Sequence, residues 1–453
     1  MPFSMPSPPP QGRPDQPPPH HPFSAAFFLQ QGSGPTGGRD FFPGHGVAGD
    51  HQPEQQLPPL CLYSSEDAAL QATTDDAASS KLSAVLLNYY RDDSLPFFVK
   101  KRTRRAPLIN RGYYSRVAAI RQLLAIFVAD ICSQNTKVHN LHRGQGQSPT
   151  ASVLSHALDI ERRAAGNEKG PLPAEWPIDN PPVQFLSFGA GMDTLYFWLA
   201  ERYRNIRMFE VDFKDVAAVK ASILRHNTEL WRKIAPSAPT DTQQGVAGED
   251  DCINTETYAL IGADLRDIQS VAAELQKRGF RDDVPTFFLS ECVLVYMNTS
   301  EADAVLRWAA QAVTSAPSAV AVYEQLNPTD AFGRTMVKNL QTRGCPLMTI
   351  FDYPTLESQK QRYLNLGWTA SSVVDMNTIY DKFLPPQERQ RVQQLELFDE
   401  LEEWRLIQAH YSIAVAVRDP VQVGRRDANQ GGATRTEAAL LCVCRVRRRL
   451  ASA

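Results

Sequence analysis

Residues 183–213 read VQFLSFGAGMDTLYFWLAERYRNIRMFEVDF, and the order of residue types in them sets the fold. Val183 to Phe188 is a short, mostly apolar run between Pro181-Pro182 and Gly189, the pattern of a strand buried on both faces of a parallel sheet. Gly189-Ala190-Gly191 is a tight turn whose missing side chains let a ligand approach the backbone. Asp193 and Thr194 are placed to cap a helix carrying Leu195, Phe197 and Trp198. A second strand, Ile206 to Val211, runs out through Glu210 and Asp212. An acid at that tip, roughly 20 residues past the glycines, stands where a nucleotide ribose presents its hydroxyls. The segment therefore reads as a nucleoside-cofactor site.

A dinucleotide-binding turn carries a third glycine, G-x-G-x-x-G, so that the helix packs close and receives a pyrophosphate. Here Met192 and Asp193 follow Gly191 instead. An acid at a helix N-terminus repels phosphate and favours amines, hydroxyls and cations. That chemistry points to S-adenosylmethionine, which carries a sulfonium and an amino group and has no phosphate. Strand–G-x-G–helix turns also occur without a ligand, so the remaining strand ends decide the matter.

Working outward, helices are expected near 67–90 and 114–131, then near 216–226 after the second strand. The strand Tyr258 to Ala263 leads to Asp264, and a helix near 268–278 leads to the strand Thr286 to Leu289 with Glu291 beyond it. Thr299 or Ser300 caps a helix to about Thr314, followed by the strand Ala319 to Leu326. Further helices are expected near 153–164, 332–343, 357–366 and 386–406, and strands near 369–374, 411–417 and 439–446. This alternation predicts an α/β fold with a doubly wound, mostly parallel sheet. Ligands of such sheets sit at the carboxyl ends of the strands. In chain order those ends carry Gly189 and Gly191, Asp212, Asp264 and Glu291, a regularity that favours a real site.

The 453 residues exceed one average domain. Residues 1–60, rich in Pro, Gly, Gln and His (PSPPPQGRPDQPPPHHP), are expected to form a disordered leader. Residues 65–450 are expected to form one domain with polar insertions near 133–180 and 235–251. The net charge of −3 leaves no electrostatic footprint for nucleic acid or a membrane surface. No apolar run approaches the roughly 20 residues of a bilayer span, and no signal-peptide pattern opens the chain. Seven cysteines are scattered, and Cys442 and Cys444 would face opposite sides of a strand. Reduced thiols, no metal site and a cytoplasmic (or also nuclear) setting are expected.

The segments APLINRGYYSRV, LSFGAGMDT, FEVDF, YALIGADLRD, LSECVLVYM, YEQLNPTDAFGRTM, LESQKQRYLNLGW and ELFDELEEW…HY resemble the leucine carboxyl methyltransferase family. The resemblance covers about Lys81 to Val417, with the motifs in family order. The resemblance implies a class I methyltransferase-like Rossmann fold with added N-terminal helices and C-terminal elaborations. It implies S-adenosylmethionine as cofactor and the catalytic subunit of type-2A protein phosphatases as partner, methylated on its C-terminal leucine carboxylate by a monomeric enzyme. It also implies cofactor contacts at Lys81, Arg116, Gly189, Asp212, Asp264, Leu265 and Glu291, beside Gly191. Lys81 and Arg116 suit the methionyl carboxylate, Glu291 or Asp193 the amino group, Asp212 the ribose, and Asp264 with the Leu265 backbone the adenine edge. The leader, the 133–180 segment and the residues after Arg418 depart from the pattern.

A chain-terminal carboxyl titrates at ~3.3–3.7, so it is already anionic at neutral pH and needs no general base. Candidates to position it are Arg111, Tyr296, Tyr323 and Gln325. One alternative is the related family that methylates a carboxyl group on a hypermodified tRNA base, whose members carry a repeat-built propeller that this sequence lacks. The other is a non-catalytic phosphatase-binding protein that keeps the fold.

Overall fold

The computed structural model describes residues 67–141, 177–237 and 252–419. The 1–60 leader, the helix expected at 153–164, the strand expected at 439–446 and most of both polar insertions lie outside the described residues. The strands are β1 (Val183–Phe188), β2 (Ile206–Asp212), β3 (Ile253–Asn254), β4 (Tyr258–Gly262), β5 (Thr286–Glu291), β6 (Ser318–Gln325), β7 (Ala370–Asp375) and β8 (Tyr411–Arg418). They form one sheet in the order β3-β4-β2-β1-β5-β6-β8-β7. The strands β4, β2, β1, β5 and β6 run parallel. β3 pairs antiparallel with β4, and β8 inserts antiparallel between β6 and β7. Strand order reverses between β1 and β5, and the crevice outside their carboxyl ends is where such a sheet binds ligands.

Alternation along each strand feeds two helical layers. Phe185, Met208, Leu260, Phe287 and Ala321 face one, with α2 (Pro107–Leu141), α3 (Leu195–Ala200), α4 (Lys214–His226) and α5 (Thr228–Ile234). Leu186, Phe209, Ile261, Phe288 and Val320 face the other, with α6 (Ile268–Lys277), α7 (Thr299–Gln311) and α9 (Leu356–Asn365). Helix α1 (Ala68–Leu86) crosses over the strand ends. Near its start Ala69 and Leu70 pack on Met336 and Leu340 of α8 (Ala331–Thr342). Near its end Ala84 joins Tyr89, Tyr114 and Trp404. The remaining helices are α10 (Met376–Lys382), α11 (Pro386–Gln393) and α12 (Leu401–Gln408).

Three local expectations change. α2 starts at Pro107, which suits a first helical position, runs through Gly112 in its second turn, and continues to Leu141 because no Gly or Pro follows. The single helix expected near 386–406 is α11 and α12, separated by a break that turns Glu396 inward. There Glu396 accepts hydrogen bonds from the Tyr89 hydroxyl at 2.9 Å and Asn110 Nδ2 at 3.0 Å. At the first helix after β1, Asp193 Oδ1 accepts from the Leu195 N–H at 2.6 Å, but the Thr194 hydroxyl donates to Asp92 at 2.6 Å. No helix among the described residues is long and apolar enough to cross a membrane.

Candidate active site

The register aligns the strand ends side by side. Phe188 lies opposite Val211 and Ser290, Asp212 opposite Gly262, and Glu291 opposite Tyr323. Gly189 and Gly191 follow β1 with φ of +63° and +52°. This left-handed turn aims the Gly191 N–H at Asp212 Oδ2, 2.6 Å away, while the Phe213 N–H donates to Oδ1 at 2.8 Å. Burial raises the Asp212 carboxyl and these two N–H groups oppose the rise. A Cβ on Gly189 would stand 2.4 Å from Val293 Cγ2. Gly189→Ala therefore combines positive-φ strain with a clash, and is expected to destabilise the fold by about 1–3 kcal/mol and weaken cofactor binding. Thermal melts of this variant and of Gly189→Ala with Val293→Ala check it. The double variant should recover the clash but not the strain, and an unchanged Tm in the single variant would count against this account.

Two cations and two anions interlock beside the glycines. Lys81 pairs with Asp193 and lies 3.9 Å from Glu291, while Arg116 Nε pairs with Glu291 and its guanidinium stands 4.6 Å from the centre of the Tyr323 ring. Burial favours neutral Lys81, but Asp193 and Glu291 win and its pKa is raised. Burial pushes Asp193 up, and Lys81 with Lys220 pulls it below the usual carboxylate range. Burial works against charged Arg116, which Glu291 more than restores. A zwitterionic amino acid fits such a cluster without changing its net charge. Its carboxylate takes Lys81 and Arg116 and its ammonium takes Asp193 and Glu291. The methionyl end of S-adenosylmethionine has that form, so the donor set fits the cofactor.

Below the turn lies a buried network. Lys220 on α4 pairs with Glu210 of β2 at 2.5 Å, both side chains 2% exposed or less, and also donates to the Asp193 carbonyl at 2.7 Å. The Tyr258 hydroxyl donates to Glu210 at 2.6 Å. On the other flank Leu265 and Phe213 line the cavity. Asp264 sits at the rim, bound by the Arg266 guanidinium at 2.6 Å, and Arg266 also reaches Asp67 of the α1 entrance at 2.7 Å. An adenine edge reaching Asp264 has to share it with Arg266.

Apart from the buried Glu210–Lys220–Tyr258 network beneath it, these residues border one cavity of about 1250 Å³. Lys81, Arg116, Gly189, Gly191, Asp212, Asp264, Leu265, Glu291, Tyr296, Tyr323 and Gln325 line it together; Arg111 does not. Arg111 lies five residues before Arg116 on α2, hence roughly 140° away around the helix. Its guanidinium stacks at 3.7 Å over Phe398 instead. Sequence reasoning missed Tyr113, Gln408 and Tyr411, which close the end beyond Tyr323. Tyr411 stacks on Tyr323 at 5.3 Å, and the HY pair at the start of β8 was its only sequence signal. Among the described residues no group of His, Cys, Asp or Glu side chains is placed to hold a metal.

Glu324, between Tyr323 and Gln325, points to the opposite sheet face and accepts from the Val295 N–H at 2.8 Å. It thereby holds the short 3₁₀ turn Leu294–Tyr296 that presents Tyr296 to the cavity. Burial pushes its carboxyl up to about 7, against Arg362 and the Val295 and Leu294 N–H groups. A raised folded-state pKa means that the native state binds more protons than the unfolded one, so stability falls as pH rises from the ordinary carboxylate range to about 7. Glu324→Gln is expected to flatten this decline; Tm measured at intervals across that window tests it, and an unaltered slope refutes it.

A model of the leucine carboxyl methyltransferase family matches residues 179–310. The chain is similar to the Arabidopsis thaliana leucine carboxyl methyltransferase 1 homolog, 34% identical over 79% of this chain and 92% of the plant protein. It is also similar to leucine carboxyl methyltransferase 1 of Rattus norvegicus, 30% identical over 80% of this chain and 93% of the rat protein. Similarity extends to human tRNA wybutosine-synthesizing protein 4, 36% identical over 77% of this chain, but the match spans only 44% of that longer protein. With nearly the whole length of the plant and rat proteins matched, the chain belongs to the leucine carboxyl methyltransferase family.

Proposed function

We propose that the protein methylates the C-terminal leucine carboxylate of a type-2A protein phosphatase catalytic subunit, using S-adenosylmethionine. What carries the reading is the juxtaposition of the Lys81–Asp193–Glu291–Arg116 cluster with a second cavity end lined by tyrosine hydroxyls. When bound, the cofactor supplies a sulfonium-borne methyl that passes to a carboxylate oxygen and leaves a neutral thioether. Lys81 and Arg116 hold its carboxylate, Asp193 and Glu291 its amino group, Asp212 its ribose hydroxyls, and Leu265 flanks its base.

The substrate end needs orientation and dryness. Burial keeps the Tyr296 and Tyr323 hydroxyls far above their ordinary pKa, so they remain protonated donors. Neutral donors orient an acid oxygen without suppressing its nucleophilicity as a tightly paired cation would. The Tyr323 ring shields Arg116, leaving that cation to the cofactor. Residues 69–81 of helix α1 form one wall of the cavity.

The test is transfer of label from S-adenosylmethionine to purified phosphatase catalytic subunit, with a second sample lacking the last leucine and a third in which tRNA replaces protein. Base-labile label on the intact phosphatase alone is expected. Label on tRNA would support the second reading, which rests on the 36% identity to the human wybutosine protein. Binding of both cofactor and phosphatase without transfer would indicate the non-catalytic one.

A further inference from the structure

The cavity, about 1250 Å³, exceeds the roughly 300–1,000 Å³ that suffices for one drug-sized ligand, so a second occupant has room beside the cofactor. The start of α2 forms one of its walls. Ile109, Gly112, Tyr113 and Arg116 line it, and their spacing of i, i+3, i+4 and i+7 makes them one face of the helix. The other side of the helix is closed. Leu108, Asn110, Arg111, Tyr114 and Ser115 are buried, Leu108 and Tyr114 in one cluster with Trp404 and Ile407 of α12. Gly112 keeps part of its surface exposed, and it does so on the face that lines the cavity.

Gly112 is the one glycine in the 35 residues of α2. Unlike Gly189 and Gly191 it has no positive φ, so the backbone there does not require glycine. Glycine in a helix interior loses more backbone freedom on folding than any other residue, and alanine is the better helix former. What the position gains is space, because a Cβ at 112 would project from the cavity-lining face. That space adjoins Tyr113, at the end of the cavity that Gln408 and Tyr411 close, where Ile109 and Ile407 supply apolar lining. The charged groups of the cofactor are matched by the Lys81–Asp193–Glu291–Arg116 cluster, whereas an apolar notch suits a hydrocarbon group. A leucine terminus brings one, the branched side chain on the carbon that carries its carboxylate. We propose that Gly112 is a specificity-determining residue, whose missing side chain leaves room, with Ile109 and Ile407 as apolar walls, for the side chain of the substrate's terminal residue.

This rests on the carboxyl-terminal reading above and adds the residue that selects the last side chain. The experiment uses full-length phosphatase catalytic subunit, its tail attached by ligation and ending in either leucine or alanine. Wild-type enzyme is expected to prefer the leucine tail in kcat/KM. Gly112→Ala should raise KM for the leucine tail about tenfold, the order of effect of one methylene in an apolar pocket. It should change use of the alanine tail far less, so that the leucine-to-alanine ratio of kcat/KM falls. A methyl that merely disturbed the helix would slow both tails alike. The Tm of the variant should equal or exceed that of wild type, and its affinity for S-adenosylmethionine by calorimetry should be unchanged. An unaltered leucine-to-alanine ratio, or a lowered Tm, overturns the proposal and leaves the methyltransferase reading standing. Weakened cofactor binding with an unchanged KM for the phosphatase overturns it too, and gives the notch to the cofactor. No methylation of either tail by the wild type would sink the carboxyl-terminal reading itself and this inference with it.

Discussion

Arg116→Ala is expected to weaken S-adenosylmethionine binding by on the order of 10²-fold or more and to lower Tm as well, because Glu291 stays buried without its guanidinium partner. Truncating one partner of a buried, hydrogen-bonded charge pair costs about 2–5 kcal/mol, much of it from the charge left behind. Here that charge is Glu291, which would keep only Lys81, 3.9 Å away. The variant thus loses a direct contact to the cofactor carboxylate and converts the two-plus-two cluster into one with excess negative charge. Such a cluster still attracts the ammonium of the cofactor but repels its carboxylate. Arg116→Lys retains the charge without the planar fork and the stacking on Tyr323, so an intermediate loss is expected. Titration calorimetry with S-adenosylmethionine decides: a Kd within threefold of wild type for Arg116→Ala would place the methionyl end elsewhere.

The reach of sequence reasoning is visible in that same cluster. Asp212, Asp264 and Glu291 could be ordered in advance because each follows a short apolar run, and parallel strands put such positions on one edge. The glycines were equally legible, since a positive-φ turn against Val293 leaves no room for a side chain. Lys81 and Arg116 sit on helices outside the sheet, where no strand pattern points at the site, and only the family resemblance suggested them. Arg111 shows the limit of motif reasoning without phase. Five residues separate it from Arg116, and the helical period sends it to Phe398. Gln408 had no sequence signal as a site residue and Tyr411 only the HY pair, because their place depends on β8 inserting between β6 and β7, a long-range pairing that local sequence does not encode. The break that turns Glu396 inward was missed for a related reason. Its partners, Tyr89 and Asn110, lie some 300 residues away in the chain.

Lys220→Met is the substitution expected to cost the most stability, about 3–5 kcal/mol at neutral pH. Methionine fills the space, so the loss is electrostatic. Glu210 would remain buried with the Tyr258 hydroxyl as its one hydrogen-bond donor among the described residues, where its other oxygen, Oε1, is already unpaired in the native protein. Burial raises the Glu210 carboxyl even with Lys220 beside it, and removing Lys220 raises it further. The sign follows: the variant's native state holds a proton that the unfolded chain releases above ~4.3, so its deficit is smallest in acid and grows as pH rises towards the elevated native value. Adding Glu210→Gln removes the orphaned charge, keeps an acceptor for Tyr258, and should restore most of the stability at pH above the carboxylate range. It should not restore cofactor affinity in full, because the Asp193 carbonyl still lacks the Lys220 ammonium that fixes the turn. Urea denaturation of both variants in acid and at neutral pH, paired with cofactor calorimetry on the double variant, separates the two roles. A single variant as stable as wild type at neutral pH, or a double variant no more stable than the single one, would show that Glu210 is not held ionised by Lys220. Full cofactor affinity in the double variant would show that the floor of the site stabilises the fold without shaping the turn above it.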